Sequence, residues 1–569
     1  MSDWHSAFRN PHSAIRVMDL RFFTKEVRHE TADRLQPPLR AGWHPLAPVR
    51  RAVARLEQQR WFLPAIAAFF LLATIQILSS NLPLPLGLPS VLGLFLLVAF
   101  LLGALHAYVQ ALQPKEVRRP RSLVLLGTIL LVVLLLNRYG LIVITSLHQS
   151  FPHIPLSAMR AALPVPLGGV LLTVLFNARL AFAGSLVLTI LTGIMLVAPI
   201  DYFLFTFVGC LVGVFALARR QRRTAFFRAG SLLGLANTYT LLAFALVRGD
   251  ASTLPADLVG GLVNGAIVAV LATGLLPLLE HSFGRTTDFT LLELSNLNEP
   301  MLRHLVLMAP GTYHHSIMVG TLAEAAAEAV GANGLLCRVG AYYHDIGKTR
   351  HPAYFIENSS DAPNRHDKLA PSLSRAIVIS HVKEGIEIAR AYGLPEVLVD
   401  LIPQHHGTRL VHYFYQRAKE TADPDLRAVQ EADYRYPGPK PQTREAAILM
   451  LADAVEAAAR TLTDPTPARI QGAVQKIING IFVDGQLDEC DLTLRDLHRI
   501  ANSFARILTG IFHHRVDYPG VQLQDFGRKR NENGDQSAKP AKEGPRRDAG
   551  AKKGGGKNAV RAGTPDSGV

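Results

Sequence analysis

Cysteine is nearly absent: Cys210, Cys337 and Cys490 are the only three in 569 residues, far apart and with no CxxC pair. That excludes a disulfide framework and suits a soluble part kept in a reducing compartment. Charge is scarce too, at 18% of residues against about 25% in an ordinary soluble chain. The deficit is uneven, because the apolar residues are concentrated before position 281. Continuous β-type alternation is missing after that point. No secretory signal peptide is evident, since polar and basic sequence precedes the first apolar run at about position 62. The charge that is present sums to +14, which suits a chain facing anionic lipid or an anionic substrate.

Apolar runs of spanning length lie near 62–81, 88–112, 122–146, 161–177, 181–199, 201–218, 228–247 and 258–279. A span needs about 20 apolar residues, so eight are expected. With the N-terminus inside, the inner loops 113–121, 178–180 and 219–227 carry Lys115, Arg118, Arg119, Arg121, Arg179, Arg219, Arg220, Arg222 and Arg223. The outer loops hold little: Arg160 at a span edge, and Arg248 offset by Asp250 and Asp257. This is the positive-inside pattern. The expectation is a multi-pass protein of the inner or plasma membrane, with the N-terminus and the C-terminal half cytoplasmic. Arg138 and Asp201 are the charges within spans; snorkelling and an interfacial position account for them. No chain of acidic residues and no paired broken helices mark a transporter.

From about 301 the pattern is that of amphipathic helices, and the expected fold class is all-α throughout. The expected organisation is a basic N-terminal segment at 1–60, a transmembrane domain of about eight helices at 61–280, and a linker at 281–300. An all-helical domain at 301–515 and a basic tail at 516–569 follow. The tail is rich in Gly, Lys, Arg, Pro and Ser from 528 on and is expected to be disordered. Asn358–Pro371 and Glu420–Gln442 read as loops.

Within the helical half, His344 and Asp345 are adjacent in Tyr343-His344-Asp345-Ile346-Gly347-Lys348. Adjacent helical residues diverge by about 100°, so the pair can touch two metals or two sides of one. His315 precedes it, and His381, the pair His405 and His406, and Asp453 follow. These seven come from five segments that a helical bundle can bring together. Imidazole with carboxylate suits iron, manganese or zinc. Five histidines and two aspartates exceed one ion's needs and suit two ions bridged by a carboxylate, an arrangement fitted to phosphate-ester hydrolysis. Lys348 has two readings, a partner for a substrate phosphate or a solvated lysine.

These residues resemble the HD superfamily of metal-dependent phosphohydrolases. More specifically, Ala309–Ser316, Tyr343–Lys348, Tyr354–Asn358, His366–Leu369 and Gln404–Thr408 resemble the seven-transmembrane HD family, whose known members are PgpH-type cyclic di-AMP phosphodiesterases. The resemblance implies hydrolysis of cyclic di-AMP to pApA through a metal-bridging hydroxide, in second-messenger turnover. It implies two divalent ions, iron or manganese. By carry-over His315, His344, Asp345 and Asp453 hold one ion, and His381, His405 and His406 the other, with Asp345 bridging. Asp345 and Lys348 are the candidate catalytic residues; Asn358, Arg365 and Lys348 are the candidate substrate contacts. Cyclic di-AMP and the lipid bilayer are the expected partners, a homo-oligomer is left open, and no nucleic-acid polymer is expected.

The chain departs from the family pattern in three places. Only Ser80–Pro89 lies between the first two spans, where the family carries a large extracellular domain. Asn364-Arg365-His366-Asp367 replaces the family's Asn-Pro-His-Asp, and the Glu420–Gln442 insert is long. The HD-GYP enzymes that cleave cyclic di-GMP carry a Gly-Tyr-Pro element soon after their paired histidines; Gly407-Thr408-Arg409-Leu410 follows His405-His406 here, which by resemblance argues for the adenine dinucleotide. The alternatives are an HD hydrolase of another nucleotide phosphate ester and a non-catalytic cyclic-dinucleotide receptor.

Overall fold

The structure is a computed structural model describing residues 59, 61–79, 87–113, 120–218, 224–359, 364–421 and 429–512. The basic segment at 1–60, most of the basic inner loops and the tail at 516–569 lie essentially outside the described residues. The described residues form helices and turns, with one isolated bridge between Leu410 and Arg435 and no strand. The fold is all-α, as composition and periodicity require.

Seven described helices are long and apolar enough to cross a membrane. They are α1 (Phe62–Ser79), α2 (Leu88–Leu112), α3 (Pro120–Ser150), α6 (Ala178–Leu196), α7 (Ile200–Leu217), α8 (Thr224–Arg248) and α9 (Leu254–Phe283). The apolar run at 161–177 differs from its expectation as a regular span. It yields α4 (Leu156–Ala161) and α5 (Leu167–Leu175), parted by a segment holding Pro164 and Pro166. Proline has no N–H for the helix ladder, and two so close break it. At about 1.5 Å per residue α5 alone falls well short of a hydrocarbon core of about 30 Å.

The broken pair nonetheless runs the length of α9. Ser157 donates to Asp257 near the start of α9 (2.7 Å). Asn264, further along α9, donates to the Leu163 carbonyl in the break (2.6 Å). Phe176 lies under the Arg285 guanidinium just past the end of α9 (4.9 Å). Leu163, Val165, Leu167, Leu171 and Leu172 are all buried, so the irregular backbone is enclosed by protein, as its polar groups demand at membrane depth. Asn237 donates on to Asn264 (3.1 Å), joining α8 to the same break.

Helices α8 and α9 meet backbone to backbone. Gly230 and Gly234 face Gly261 and Gly265, and a Cβ at Gly230 or Gly265 would overlap the other's carbonyl oxygen. Small residues four apart allow this approach. Gly265→Leu is therefore expected to force the pair apart and lower the melting temperature of the detergent-purified full chain by several degrees. An unchanged melting curve would show a looser crossing. Asp201, at the start of α7, pairs with Arg248 at the end of α8.

Residues 281–300, expected as a linker, are built into both cores. The short helix α10 (Asp288–Leu294) stacks Phe289 on Phe226 of α8 (4.9 Å) and places Leu291 in the core of the following domain. Glu280 accepts from Thr287 N (3.2 Å), Thr290 Oγ1 (3.0 Å) and Thr287 Oγ1. Beyond it come α11 (Pro300–Met308), α12 (Pro310–Val330) and α13 (Gly334–Tyr343). Then follow α14 (Pro371–Tyr392), α15 (Glu396–Val399), α16 (Leu401–Gln404) and α17 (His412–Thr421). The last three are α18 (Arg444–Ala459), α19 (Pro467–Val483) and α20 (Leu494–Ile511). The central helices α12 and α18 pack together with α13 and α20, and α18 is buried from Ala446 to Glu456. Tyr343, fully buried at the end of α13, donates to the Leu294 carbonyl of α10 (2.8 Å).

Candidate metal centre

His315 lies in the second turn of α12, whose start is fixed by a neighbouring loop. Asn358 accepts from Thr312 N (3.1 Å) and donates to Thr312 Oγ1 (2.9 Å). His344 caps α13, and Asp345 follows at φ −106°, ψ 16°, a bridge conformation that turns the chain out of the helix. His381 projects from mid-α14. His405 and His406 end the α16 segment, where Gly407 at φ 55° stops the helical path. Asp453 comes from α18.

The structure brings all seven candidate ligands together, around Asp345. Its Oδ2 lies 3.2 Å from His344 Nε2 and 3.6 Å from His315 Nε2. Its Oδ1 lies 3.4 Å from His381 Nε2 and 3.7 Å from His405 Nε2. Asp453 Oδ1 is 3.0 Å from His315 Nε2 and 3.8 Å from His344 Nε2. Two ligand groups result, His315–His344–Asp345 and Asp345–His381–His405–His406. The Nε2 atoms of His315, His344, His381 and His405, and Oδ1 of Asp345, are buried without a hydrogen-bond partner. Buried polar atoms are seldom left so, and five orphaned lone-pair donors facing one another fit divalent cations.

The two sides differ electrostatically. Burial opposes protonation of His315, but the Asp453 and Glu456 carboxylates beside its ring outweigh it and carry its pKa up to about 9. Burial also opposes protonation of His344, yet Asp345 raises its pKa to about 10. On the other side burial and His344 push His405 down to about 3, and burial lowers His381. Burial and the neighbouring His405 hold His406 well below its usual value. Asp345 sits well below the carboxylate range although burial opposes it, because His344 and Lys348 favour its charge. A cation entering the first side would displace protons from its imidazoles.

Lys348 is largely buried rather than solvated, with 13% of its side chain exposed. Its Nζ lies 2.7 Å from Asp345 Oδ2 and 2.9 Å from Glu357 Oε1, above the Phe355 ring. Asn358 spends its amide on the start of α12. Arg365 is exposed, with its guanidinium 5.7 Å from the Tyr354 ring. His314 is exposed, apart from the cluster. Tyr436 stacks on His406 (4.2 Å).

Sequence reasoning missed two acidic residues. Glu357 pairs with Lys348 and accepts from Thr312 (3.1 Å). Glu456 accepts from His315 Nδ1 (2.6 Å). The i,i+3 spacing from Asp453 was the available signal for Glu456; Glu357 gave none beyond its place in Tyr354–Asn358.

Residues 88–287 match the family model described as 7TM receptor with intracellular HD hydrolase, and residues 312–458 match the HD domain. A cyclic-di-AMP phosphodiesterase PgpH from Bacillus subtilis is 39% identical over 75% of this chain and 60% of its own. The protein of that name from Listeria monocytogenes is 42% identical over 63% of this chain and 50% of its own. The chain thus spans roughly half to three-fifths of these relatives. The crystal structure of the L. monocytogenes phosphodiesterase PgpH HD domain in complex with cyclic di-AMP is 51% identical. It covers 38% of this chain and 100% of that one at a TM-score of 0.37.

Proposed function

We propose, on the premise that this chain belongs to the seven-transmembrane HD family, that it is a membrane-bound, metal-dependent phosphodiesterase hydrolysing cyclic di-AMP to pApA. The observation carrying this reading is Asp345 between two sets of orphaned imidazole nitrogens. His315, His344, Asp345 and Asp453 would hold one ion, and His381, His405 and His406 the other, with Asp345 shared. Nitrogen and oxygen donors in these numbers suit iron or manganese. Such ions supply Lewis acidity toward water and a phosphoryl oxygen.

The chain's own residues do the rest. The buried cluster excludes bulk water, which strengthens every charge interaction in it. Lys348 neutralises one Asp345 oxygen and is itself held by Glu357, so the bridging carboxylate is fixed in position. The relatives carry the name of an enzyme acting on cyclic di-AMP.

We further infer that the catalytic domain is cytoplasmic. Arg285, just before that domain, donates to Ser122 (2.8 Å). Gln113 donates to Asn177 (2.9 Å), and Phe226 meets Phe289. The flanks of all three basic loops therefore lie at the domain's end of the bundle, which favours the positive-inside orientation. Counting α4 with α5 as one crossing gives eight, which returns the start of α1 to the same side.

The test is hydrolysis of cyclic di-AMP against cyclic di-GMP by the purified full chain, with manganese or ferrous iron. Selective formation of pApA is expected. Turnover of a different nucleotide ester would replace the substrate assignment. Binding of cyclic di-AMP without turnover, with metal shown to be present, would make the chain a receptor.

A further inference from the structure

Three of the buried histidines are oriented alike. Each directs Nδ1 at the backbone carbonyl three residues earlier: His344 at Ala341 (2.7 Å), His381 at Val378 (2.5 Å) and His405 at Ile402 (2.5 Å). With Nδ1 occupied, Nε2 is left to face the centre. A backbone carbonyl is neutral and fixed, and it sets the ring without adding charge.

His315 is held differently. Its Nδ1 lies 2.6 Å from Glu456 Oε2, and the Glu456 side chain is buried at 6% exposure. Glu456 stands one turn after Asp453 on α18, and Asp453 Oδ1 lies 3.0 Å from the other nitrogen of the same ring. Helix α18 thus brings one carboxylate to each nitrogen of His315. No other histidine of the centre has this arrangement among the described residues.

The consequence is a charge asymmetry. In the half formed by His315, His344 and Asp453 the two imidazoles have Asp345 Oδ2 and Asp453 Oδ1 directly beside them, with Glu456 one hydrogen bond behind. Lys348 also approaches Asp345 Oδ2, but Glu357 offsets its charge at 2.9 Å. The half formed by His381, His405 and His406 has only Asp345 Oδ1 beside three imidazoles. In a buried site each extra carboxylate strengthens the hold on a divalent cation. A carboxylate behind a ligating histidine also fixes its tautomer and raises its basicity, and losing it typically costs roughly 10–100-fold in metal affinity.

We propose that Glu456 is a positioning residue that makes the His315–His344–Asp453 half the tight site of a two-ion centre, leaving the His381–His405–His406 half exchangeable. The proposal rests on the two-ion reading above. It assigns the exchangeable ion to α14 and the α16 segment, and the retained ion to the α12–α13–α18 core.

The test loads the purified full chain with manganese, dialyses it against graded chelator, and counts ions per chain by elemental analysis. The unaltered chain is expected to lose its two ions in separate steps. In Glu456→Gln the tighter step should move roughly 10–100-fold toward the weaker one, with the weaker step in place. Glu456→Asp should recover part of the shift. His381→Ala approaches from the other side and should remove only the weaker step, so the assignment stands tested even if Glu456→Gln fails to fold. A tight step unmoved in folded Glu456→Gln, a shift of the weaker step instead, or loss of the tight step in His381→Ala would each overturn the proposal. Loss of both ions in a single step from the unaltered chain would overturn the inequality itself. Failure of the unaltered chain to take up two ions would instead overturn the two-ion reading.

Discussion

Asp345→Ala is expected to abolish hydrolysis and to leave the full chain unable to retain two ions. Asp345 is the group common to both ligand sets: Oδ2 lies 3.2 Å from His344 Nε2, and Oδ1 lies 3.4 Å from His381 Nε2. The remaining ligands then divide into a histidine–aspartate half and an all-imidazole half with no shared charge. The damage reaches further, because Lys348 loses the nearer of its two carboxylates and remains a largely buried cation held by Glu357 alone. Removing one partner of a buried charged pair is costly, since the survivor keeps its desolvation penalty. Asp345→Asn keeps the shape and removes the charge, so it should fall with Ala in turnover while disturbing the fold less. Turnover and elemental analysis on the same preparations check this. Near-normal turnover in Asp345→Ala would refute the bridging assignment.

Much of this centre is legible in the amino-acid sequence. Adjacent His and Asp, a second adjacent histidine pair, and single ligands on separate helical segments leave few geometries open, and the packing of α12, α13, α14 and α18 supplies one of them. The all-α fold follows equally directly from apolar runs and helical spacing. What escaped depends on which surfaces meet. Lys348 reads as a solvated lysine or a phosphate partner until Glu357 arrives from a separate loop. Glu456 reads as an ordinary acidic residue on a helix until its turn is seen against His315. Asn358 lies inside a recognised motif, yet its amide is spent capping α12. The run at 161–177 misled for a different reason: hydropathy weighs side chains and is blind to the backbone donors that Pro164 and Pro166 remove. Residues 281–300 looked like a linker because short, mixed segments usually are, whereas Phe289 and Leu291 of α10 belong to different cores.

Gly347→Val is expected to lower the melting temperature strongly and to reduce metal retention together. Gly347 lies two residues after Asp345, and its backbone is not in the left-handed region. Its requirement is space: a Cβ there would overlap the His381 carbonyl oxygen and come within 2.6 Å of Gly385 N. Both are backbone atoms of α14, so relief requires moving the helix that carries His381. Overpacking in a closed core costs about 1–3 kcal/mol even where side chains can shift, and here the obstacle is main chain. Displacing α14 also separates His381 from Asp345, so stability and metal content should fall in parallel, more in Val than in Ala. Gly472→Ala is the contrast. That glycine sits within α19 with nothing inside 4 Å of its would-be Cβ, and alanine there should be neutral or stabilise by about 0.5–1 kcal/mol. If Gly347→Ala proved as mild as Gly472→Ala, the approach of α14 to the His-Asp turn would not be what sets the spacing between Asp345 and His381.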